Sequence, residues 1–307
     1  MLFSTGLVYA CVGYVGYVSL MPPRWRPVYP PAVEGFDSYA QALDDRLFWT
    51  SIWHTALFFL VSYALIVILG IVLAALMHSR IYLPTIFKVI IFVPSVIAPA
   101  IMAPVHRQVF AADGPINWFL ERLGLIAVEA NGTRVWAGWL QGLLPKIGLG
   151  DVTPNWIQPT TSLWVVVAAQ VFSSVGIAFI LFFASMGQID RETLEAAKID
   201  GAGNIRVLWS IIVPATRPTI ATLAILHGIT SLKLFDYPYL ITSGGPAHSS
   251  EFLGTLIYNV LFGTSSRYGY ASALSVMLFV LALGTSVLMS LSTRERRPRA
   301  PKAAGRV

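Results

Sequence analysis

Six apolar runs, each about 20 residues long, constrain this chain more than any other feature of its sequence. A run of that length crosses the hydrocarbon core of a bilayer as an α-helix. The runs are Leu2 to Leu20, Ile52 to Met77, Ile86 to Val105, Leu163 to Met186, Ile220 to Ile241 and Tyr270 to Leu291. None alternates like a barrel strand, so we expect an all-α integral membrane protein with six transmembrane helices.

The composition agrees with this interpretation. Hydrophobic residues make up 56% of the chain and charged residues 12%, which argues against a water-soluble enzyme. The single cysteine, Cys11, cannot form an intramolecular disulfide or a thiolate metal site. The five histidines lack ligand spacing, so we expect no metal site.

Prolines lie inside two of the apolar runs. Pro94, Pro99 and Pro104 lie in the third run, and Pro238 lies in the fifth. Because proline has no N–H to donate and its ring clashes with the preceding turn, we expect bent or broken helices there.

The loops predict the direction of the spans. With alternate crossings, one side of the membrane collects more Lys and Arg than the other, and that side is expected to be cytoplasmic. Its basic residues are Arg80, Lys88, Arg191, Lys198, Arg206, Arg217, Arg294, Arg296, Arg297, Arg299, Lys302 and Arg306. Both termini are therefore predicted to be cytoplasmic. Residues 1–51 then hold the first helix and an external loop, residues 52–292 a core with five helices, and residues 293–307 a basic cytoplasmic tail.

The net charge of +6 suggests a nucleic acid partner, but the basic tail offers another explanation of this charge. Basic residues crowd after Thr293, directly behind an apolar run. A tail that flanks the membrane explains the charge better, so we expect membrane lipid and no nucleic acid as a partner.

The external loop between the third and fourth runs contains a helical pattern. Four apolar side chains share one stripe at i, i+3, i+4 and i+7: Trp136, Trp139, Leu140 and Leu143. Such a stripe is typical of a helix packed on the rest of the protein or of one at the membrane interface, where Trp is enriched. The sequence leaves both open.

The cytoplasmic loop at residues 190–214 has the pattern of a helix, a turn and a second helix. Asp190 and Glu192 lie where carboxylates cap a helix N-terminus, and Gly201 and Gly203 interrupt the helix that follows. Four apolar residues then share one face: Ile205, Leu208, Trp209 and Ile212. This face suits docking in a groove of another protein or resting on lipid, and physics alone does not decide between them.

The same loop resembles the EAA loop of permease subunits of ATP-binding cassette importers. The matching residues are Glu195-Ala196-Ala197, Gly201, Ile211 and Val213-Pro214, with Val213 where the family usually has Leu. Other segments resemble the maltose-type sugar permeases: Asp200-Gly201-Ala202, Phe235-Asp236, Thr242-Ser243-Gly244-Gly245-Pro246, Ile91-Phe92-Val93-Pro94 and Gly114-Pro115-Ile116-Asn117.

The resemblance implies a type I importer permease fold in the inner membrane of a bacterium. It also implies that the loop at residues 190–214 is a coupling helix seated in a cleft of a separate ATPase. The implied coupling residues are Glu195, Ala196, Ala197, Asp200, Gly201, Ala202, Ile211 and Pro214. The implied partners are a pair of cytoplasmic ATPase subunits, a second homologous permease, an extracytoplasmic solute-binding protein and a small-molecule sugar.

The chain contains no Gly-x-x-x-x-Gly-Lys-Ser/Thr loop with which to cradle nucleotide phosphates. We therefore expect no cofactor and no enzymatic activity in this chain, and we expect ATP to be bound by partner subunits. Gly244-Gly245-Pro246 lacks the following lysine, and a tight turn is its expected structure.

Polar groups within the apolar runs are candidates for the substrate pathway, because burying them in lipid is costly. Lys233 and Asp236 are three residues apart, on one predicted helical face, and either form a structural pair or line a cavity. The full set of candidates is Gln170, Ser173, Ser174, Lys233, Phe235 and Asp236. The serines could equally mediate close helix contacts, whereas Phe235 beside Asp236 suits a sugar ring.

The sequence as a whole predicts a permease for sugars or oligosaccharides that works by alternating access. Uptake of glycerol-phosphate or another polyol is the alternative, with Lys233 as an anion contact. A different class, an ion-coupled secondary transporter, predicts inverted repeats, and the sequence shows none. A membrane scaffold needs neither a polar cavity nor an ATPase.

Overall fold

The structure, a computed structural model, describes residues 2–29, 33–78, 84–129, 133–143, 154–264 and 266–294. The predicted basic tail lies outside the described residues from residue 295 onward, as do parts of the predicted external loop, at residues 130–132 and 144–153. The elements in chain order are α1 Leu2–Val18, α2 Asp37–Asp44, α3 Arg46–His78, α4 Pro84–Val96, α5 Pro99–Val109, α6 Pro115–Arg122, β1 Ile126–Val128, β2 Arg134–Trp136, α7 Gly138–Leu143, α8 Ser162–Met186, α9 Arg191–Ile199, α10 Asn204–Val207, α11 Val213–Ala215, α12 Arg217–Leu232, α13 Leu253–Phe262 and α14 Tyr268–Arg294. Short π-helical segments cover Leu208–Ile212 and Pro238–Thr242, and a 3-10 turn covers Pro246–His248.

Three of the described helices, α3, α8 and α14, are long and apolar enough to cross a membrane. The main core lies where α3 packs on α8, and it contains the fully buried rings of Phe58, Phe179 and Phe182. Small residues allow this close contact. A Cβ added to Gly70 of α3 would lie 3.0 Å from the Cβ of Ala178 on α8.

The third apolar run is broken, as its prolines predict. α4 and α5 meet at an angle of 101° across Ile97 and Ala98. Pro99 begins α5, and it has no N–H to continue the hydrogen-bond ladder of α4. The run therefore forms two short helices that change direction inside the protein.

The fifth run is also broken, and a sharp bend separates its helix from the helical stretch that precedes it. The helical stretch Asn204–Ala215 meets α12 at 65° near Thr216, whose hydroxyl donates to the Ile212 carbonyl at 3.0 Å. α12 ends at Leu232, and helical structure resumes only at Asp236. If each bent pair is one span, the described residues contain up to 5 spans, and α1 is a shorter apolar helix of 17 residues.

A small hairpin corrects the all-α prediction. β1 pairs with β2 in antiparallel register, with Ile126 opposite Trp136. Trp136 is therefore in a strand, and the predicted stripe from Trp136 to Leu143 is wrong at its first residue, because α7 begins only at Gly138. Backbone pairing with the neighbouring strand outweighs the helical spacing here. The Trp136 ring packs edge-on against Trp156 at 6.1 Å, so this residue contacts the protein.

The contact between α4 and α8 leads to a first prediction. A Cβ on Gly176 of α8 would lie 2.6 Å from the Ile91 carbonyl oxygen and 3.0 Å from the Phe92 Cα. Gly176→Leu should therefore destabilise the protein by about 1–3 kcal/mol or more, since backbone cannot move aside. Gly284→Leu on α14 is the matched control, because a Cβ there meets nothing within 4 Å. Thermal unfolding of both purified variants measures the difference, and equal midpoints would contradict the packing.

Candidate functional site

The break after α12 lies at the centre of the site. Lys233 caps the end of α12, and the chain is non-helical at Leu234 and Phe235. Pro238 has no N–H to donate to the Leu234 carbonyl, which favours a helix end at this point. Gly254 of α13 packs against the same carbonyl, since a Cβ there would lie 2.9 Å from the Leu234 oxygen. Helix ends beside a cavity are the arrangement in which many transporters place a binding site.

A cavity of about 530 Å³ opens between α4, α8, α12 and this break. All the predicted pathway residues line it: Gln170, Ser173 and Ser174 from α8, and Lys233, Phe235 and Asp236 from the break. Further polar groups come from Ser95, His227, Thr230 and Tyr237. The structure thus brings together side chains that are far apart in the sequence.

Hydrogen bonds order the polar wall of the cavity. The Tyr237 hydroxyl donates to Ser173 Oγ at 2.7 Å, and Gln170 Nε2 donates to Ser174 Oγ at 2.8 Å. His227 Nε2 lies 2.7 Å from Ser62 Oγ. The hydroxyl of Ser95 is buried and has no hydrogen-bond partner among the described residues, so it is available to a group that enters the cavity.

The prediction that Lys233 and Asp236 share one helical face is wrong, because α12 ends before Lys233 and helical structure resumes only at Asp236. The ion pairs among the described residues are those between Arg134 and Glu121 and between His248 and Glu251. Lys233 and Asp236 belong to neither pair, are both exposed and both line the cavity. Their charges therefore face the cavity without neutralising each other in an ion pair.

A tight turn closes the segment after the break. Ser243, Gly244 and Gly245 have φ angles of 54°, 88° and 77°, and the Gly245 N–H donates to the Thr242 carbonyl at 2.8 Å. The predicted turn is therefore confirmed. It wraps the carboxylate of Glu251, and a Cβ on Gly244 would lie 2.6 Å from Glu251 Oε2.

Glu251 is a residue that the sequence analysis missed. Its side chain is buried, with His248 Nδ1 2.8 Å from Oε2 and the Asn259 amide donating to Oε1 at 3.2 Å. Its backbone carbonyl lies 2.9 Å from Nδ1 of His54 on α3. Glu251 thereby fastens the turn to two helices, and no local pattern in the sequence indicates this role.

The loop at residues 190–214 has the predicted helix, turn and helix. α9 is followed by Gly201 with φ +77°, and the N–H groups of Asp200 and Ala202 donate to the carbonyls of Ala196 and Ala197, each at 2.9 Å. The bond from Ala202 to Ala197 is the 6→1 bond of a Schellman C-cap, whereas the bond from Asp200 to Ala196 continues the helix. Glycine at position 201 avoids the strain of a left-handed backbone. Four of the eight predicted coupling residues are exposed: Glu195, Ala196, Asp200 and Gly201. The other four are half-buried: Ala197, Ala202, Ile211 and Pro214.

The apolar face predicted after the turn is divided into two. Leu208 and Ile212 pack against the main core, whereas Ile205 and Trp209 are 76% and 67% exposed. The π-helical segment Leu208–Ile212 widens the turn, so residues spaced for an α-helical stripe separate. Ile199 at the end of α9 is 87% exposed, so this loop presents large apolar side chains on its free surface.

Residues 45–299 match the family model described as a binding-protein-dependent transport system inner membrane component. The chain belongs to this family. The match covers the cavity, the loop at residues 190–214 and α3 to α14, and it confirms the permease resemblance that rests on the EAA loop. The protein is therefore a transport component of the inner membrane.

Curated members of the family align over most of this permease. It is 28% identical over 268 residues to the trehalose/maltose transport system permease protein MalF of Thermococcus litoralis, covering 86% of this chain and 80% of that protein. It is 27% identical over 266 residues to the lactose transport system permease protein LacF of Rhizobium radiobacter, covering 86% of this chain and 82% of that one.

Solved structures show the same fold. A chain of a bacterial alginate ABC transporter, in complex with an alginate pentasaccharide-bound periplasmic protein, superposes with a TM-score of 0.66 at 21% identity. The superposition covers 85% of this permease and 83% of that chain. The arrangement of helices is therefore shared with that transporter chain.

Proposed function

We propose that this chain is a membrane-spanning permease subunit of an ATP-driven importer of sugars or oligosaccharides, supplied by an extracytoplasmic solute-binding protein. The cavity at the broken fifth run carries the proposal, because it gathers every side chain that the sequence assigned to a pathway. The family match supports the dependence on a binding protein.

The lining of the cavity suits a sugar. Phe235 stacks on Tyr239 at 5.0 Å, with 15° between the rings, which makes a flat apolar surface beside the polar wall. The polar wall can both donate hydrogen bonds to sugar hydroxyls and accept them. It offers the hydroxyl of Ser173, the amide of Gln170, the ammonium of Lys233 and the carboxylate of Asp236. An apolar surface with a few directed polar groups is typical of a small-molecule site.

The names of the relatives support this substrate class. The related permeases belong to transport systems for trehalose and maltose, for lactose and for diacetylchitobiose. We infer a carbohydrate with several exposed hydroxyl groups as the cargo.

The loop at residues 190–214 is proposed to couple the permease to a separate ATPase. Ile199, Ile205 and Trp209 offer exposed apolar anchors for a groove on a partner, and Glu195 and Asp200 are exposed at their side. A pair of ATPase subunits would bind the ATP and move this loop, and the helices would then reopen the cavity on the opposite side.

A second permease subunit is proposed to complete the pathway. Lys233 and Asp236 are exposed in the single chain, so the cavity is open at one side. A homologous permease packed across this opening would enclose the substrate between two halves, and alternating access would follow from their relative motion.

We propose six crossings, formed by α1, α3, the α4–α5 pair, α8, α12 with the segment to Thr242, and α14. Both termini are then cytoplasmic, in agreement with the bias of Lys and Arg. A fluorescent protein that folds only in the cytoplasm, fused after Val307, should be bright, whereas the same protein inserted after Gly138 should be dark. A dark C-terminal fusion would contradict this orientation.

The free ammonium group of Lys233 favours a second candidate, an importer of glycerol-phosphate or another anionic polyol or sugar. A related permease serves sulfoquinovosyl glycerol, and one solved neighbour takes part in import of the acidic polysaccharide alginate. Competition between neutral and anionic sugars for uptake separates the two candidates. Loss of competition by anionic sugars in Lys233→Met would favour the second.

Uptake into proteoliposomes tests the proposed function. The complex of permeases and ATPase, with labelled oligosaccharide and binding protein outside and ATP within, should accumulate the sugar. An ATPase unable to hydrolyse ATP should abolish accumulation. Accumulation driven by an ion gradient, without ATP, would instead identify a secondary transporter.

A further inference from the structure

α1 and α14 pack side by side, and the segments beyond their neighbouring ends are joined to each other. The Tyr268 N–H donates to the Trp25 carbonyl at 3.1 Å, and the Tyr270 N–H donates to the Pro23 carbonyl at 3.3 Å. Gly269 permits this approach, because a Cβ there would lie 2.9 Å from the Met21 carbonyl oxygen. The residues that follow α1 are thus held against the start of α14.

Arginines converge on a cavity at this junction. The cavity has a volume of about 310 Å³ and is lined by Arg24, Arg26, Arg267 and Ser266. Arg26 Nε donates to the Ser266 carbonyl at 3.1 Å, and the Arg267 guanidinium lies over the Tyr270 ring at 4.8 Å. These contacts fix the directions of two guanidinium groups.

These three positive charges have no carboxylate partner within the described part of the chain, where the ion pairs join other residues. Asp45 accepts hydrogen bonds from the Tyr270 hydroxyl at 2.6 Å and from the Leu47 N–H at 2.8 Å, and it forms no ion pair with these arginines among the described residues. Guanidinium groups gathered without a counter-charge repel one another and are well suited to the oxygens of a phosphate.

An apolar cleft runs between the same two helices. It has a volume of about 410 Å³ and is lined by Thr5, Val8, Tyr9 and Val12 of α1 and by Phe279 of α14. Val8 and Tyr9 are 60% and 73% exposed. At about 1.5 Å per residue, Phe279 lies about 17 Å along α14 from Tyr268. This is close to half of the hydrocarbon thickness of about 30 Å, the depth that one acyl chain fills.

We propose that the α1–α14 junction binds one anionic phospholipid. Its phosphate lies among Arg24, Arg26 and Arg267, and one acyl chain lies in the cleft that reaches Phe279. Charge complementarity selects this occupant, because a headgroup with its own ammonium brings a positive charge to the arginines. This site shares no lining residue with the pathway cavity and does not depend on which sugar is carried.

The site fits the exposure of α1, whose Leu7 and Tyr14 side chains are 57% and 60% exposed. The arginine pocket lies beyond one end of the α1–α14 pair, and the apolar cleft lies between the two helices. A lipid with its phosphate in the pocket and an acyl chain in the cleft would therefore link α1 to α14. The acyl chain would make dispersion contacts with the side chains that line the cleft, which the described part of the protein leaves without apolar neighbours on that side.

Native mass spectrometry of the assembled transporter, titrated with phosphatidylglycerol or phosphatidylethanolamine, tests the proposal. Phosphatidylglycerol should bind in preference, and Arg24→Gln with Arg26→Gln should lower its affinity by about tenfold or more. Arg24→Lys with Arg26→Lys should keep most of it. The matched control, Arg107→Gln with Arg122→Gln, removes two exposed charges elsewhere and should change nothing.

A second variant separates a lipid site from a site for free anions. Val12→Trp fills the cleft without changing charge, and it should also weaken phosphatidylglycerol binding, while inorganic phosphate should not displace the lipid. Equal affinity for the two lipids would overturn the proposal, and so would an equal loss in the control. Displacement by phosphate, with full binding in Val12→Trp, would identify a free-anion site and overturn it as well.

Discussion

Gly201→Asp is expected to leave the protein in the membrane and to reduce ATP-driven uptake by at least about tenfold, the effect of losing about 1.4 kcal/mol of docking free energy. The backbone of Gly201 has φ +77°, a conformation that Asp tolerates better than most side chains. A Cβ at this position meets no described residue within 4 Å. The new carboxylate therefore disturbs the surface of the turn and the partner that we propose binds it, and folding is spared.

Two measurements check this prediction: uptake into proteoliposomes and recovery of the ATPase with the purified permease. Both should fall in Gly201→Asp, and Glu195→Gln should lower uptake in the same way. Gly138→Asp is the matched control, because Gly138 also has nothing near its Cβ but lies in the loop that we place outside. Normal uptake together with normal recovery of the ATPase would refute the docking role.

Asp236→Asn is expected to lower uptake at low sugar concentration by about tenfold or more while the transporter assembles normally. A buried ion pair that loses one partner costs about 3 to 5 kcal/mol. Lys233 and Asp236 form no such pair and are exposed to the cavity, so each single substitution should leave stability unchanged. The loss should therefore appear in the KM for sugar, because a binding group has been removed.

The double variant Lys233→Met with Asp236→Asn sharpens the test. If the two groups bind substrate, the double variant should assemble and transport no better than either single variant. Asp113→Asn, which removes an exposed carboxylate outside the cavity, should transport normally. Transport at the unsubstituted rate by the double variant would contradict a role in binding.

Several features could be predicted because their cause is local in the sequence. The breaks at Pro99 and near Pro238 follow from a missing N–H, and the turn at Gly201 follows from a glycine after strong helix formers. The pathway candidates could be found because a polar side chain in an apolar run is costly unless it faces a cavity.

Other features depend on tertiary contacts that no local pattern reveals. Ser95 lines the cavity close to the break between α4 and α5, and Tyr237 lines it after the early end of α12. Trp136 is in a strand because another strand lies beside it. The π-helical segment Leu208–Ile212 turns Leu208 and Trp209 toward different surroundings, and its residue types do not distinguish it from an α-helix. The spacing of Lys233 and Asp236 predicted a shared helical face, but the helix ends just before Lys233, within an apolar run, and the sequence does not mark that end.

The central claim is that the cavity beside the broken fifth run is a pathway that opens to alternate sides. Cys11 is the single cysteine, so Cys11→Ser with Ser174→Cys places one thiol on the cavity wall. A membrane-impermeant thiol reagent should label it from one side without ATP and from the other side when the ATPase pair is trapped closed, and bound sugar should slow the labelling. A thiol at Ile180 on the same helix, outside the cavity lining, should show no such switch. Labelling at position 174 from one side in both states would contradict alternating access through this cavity.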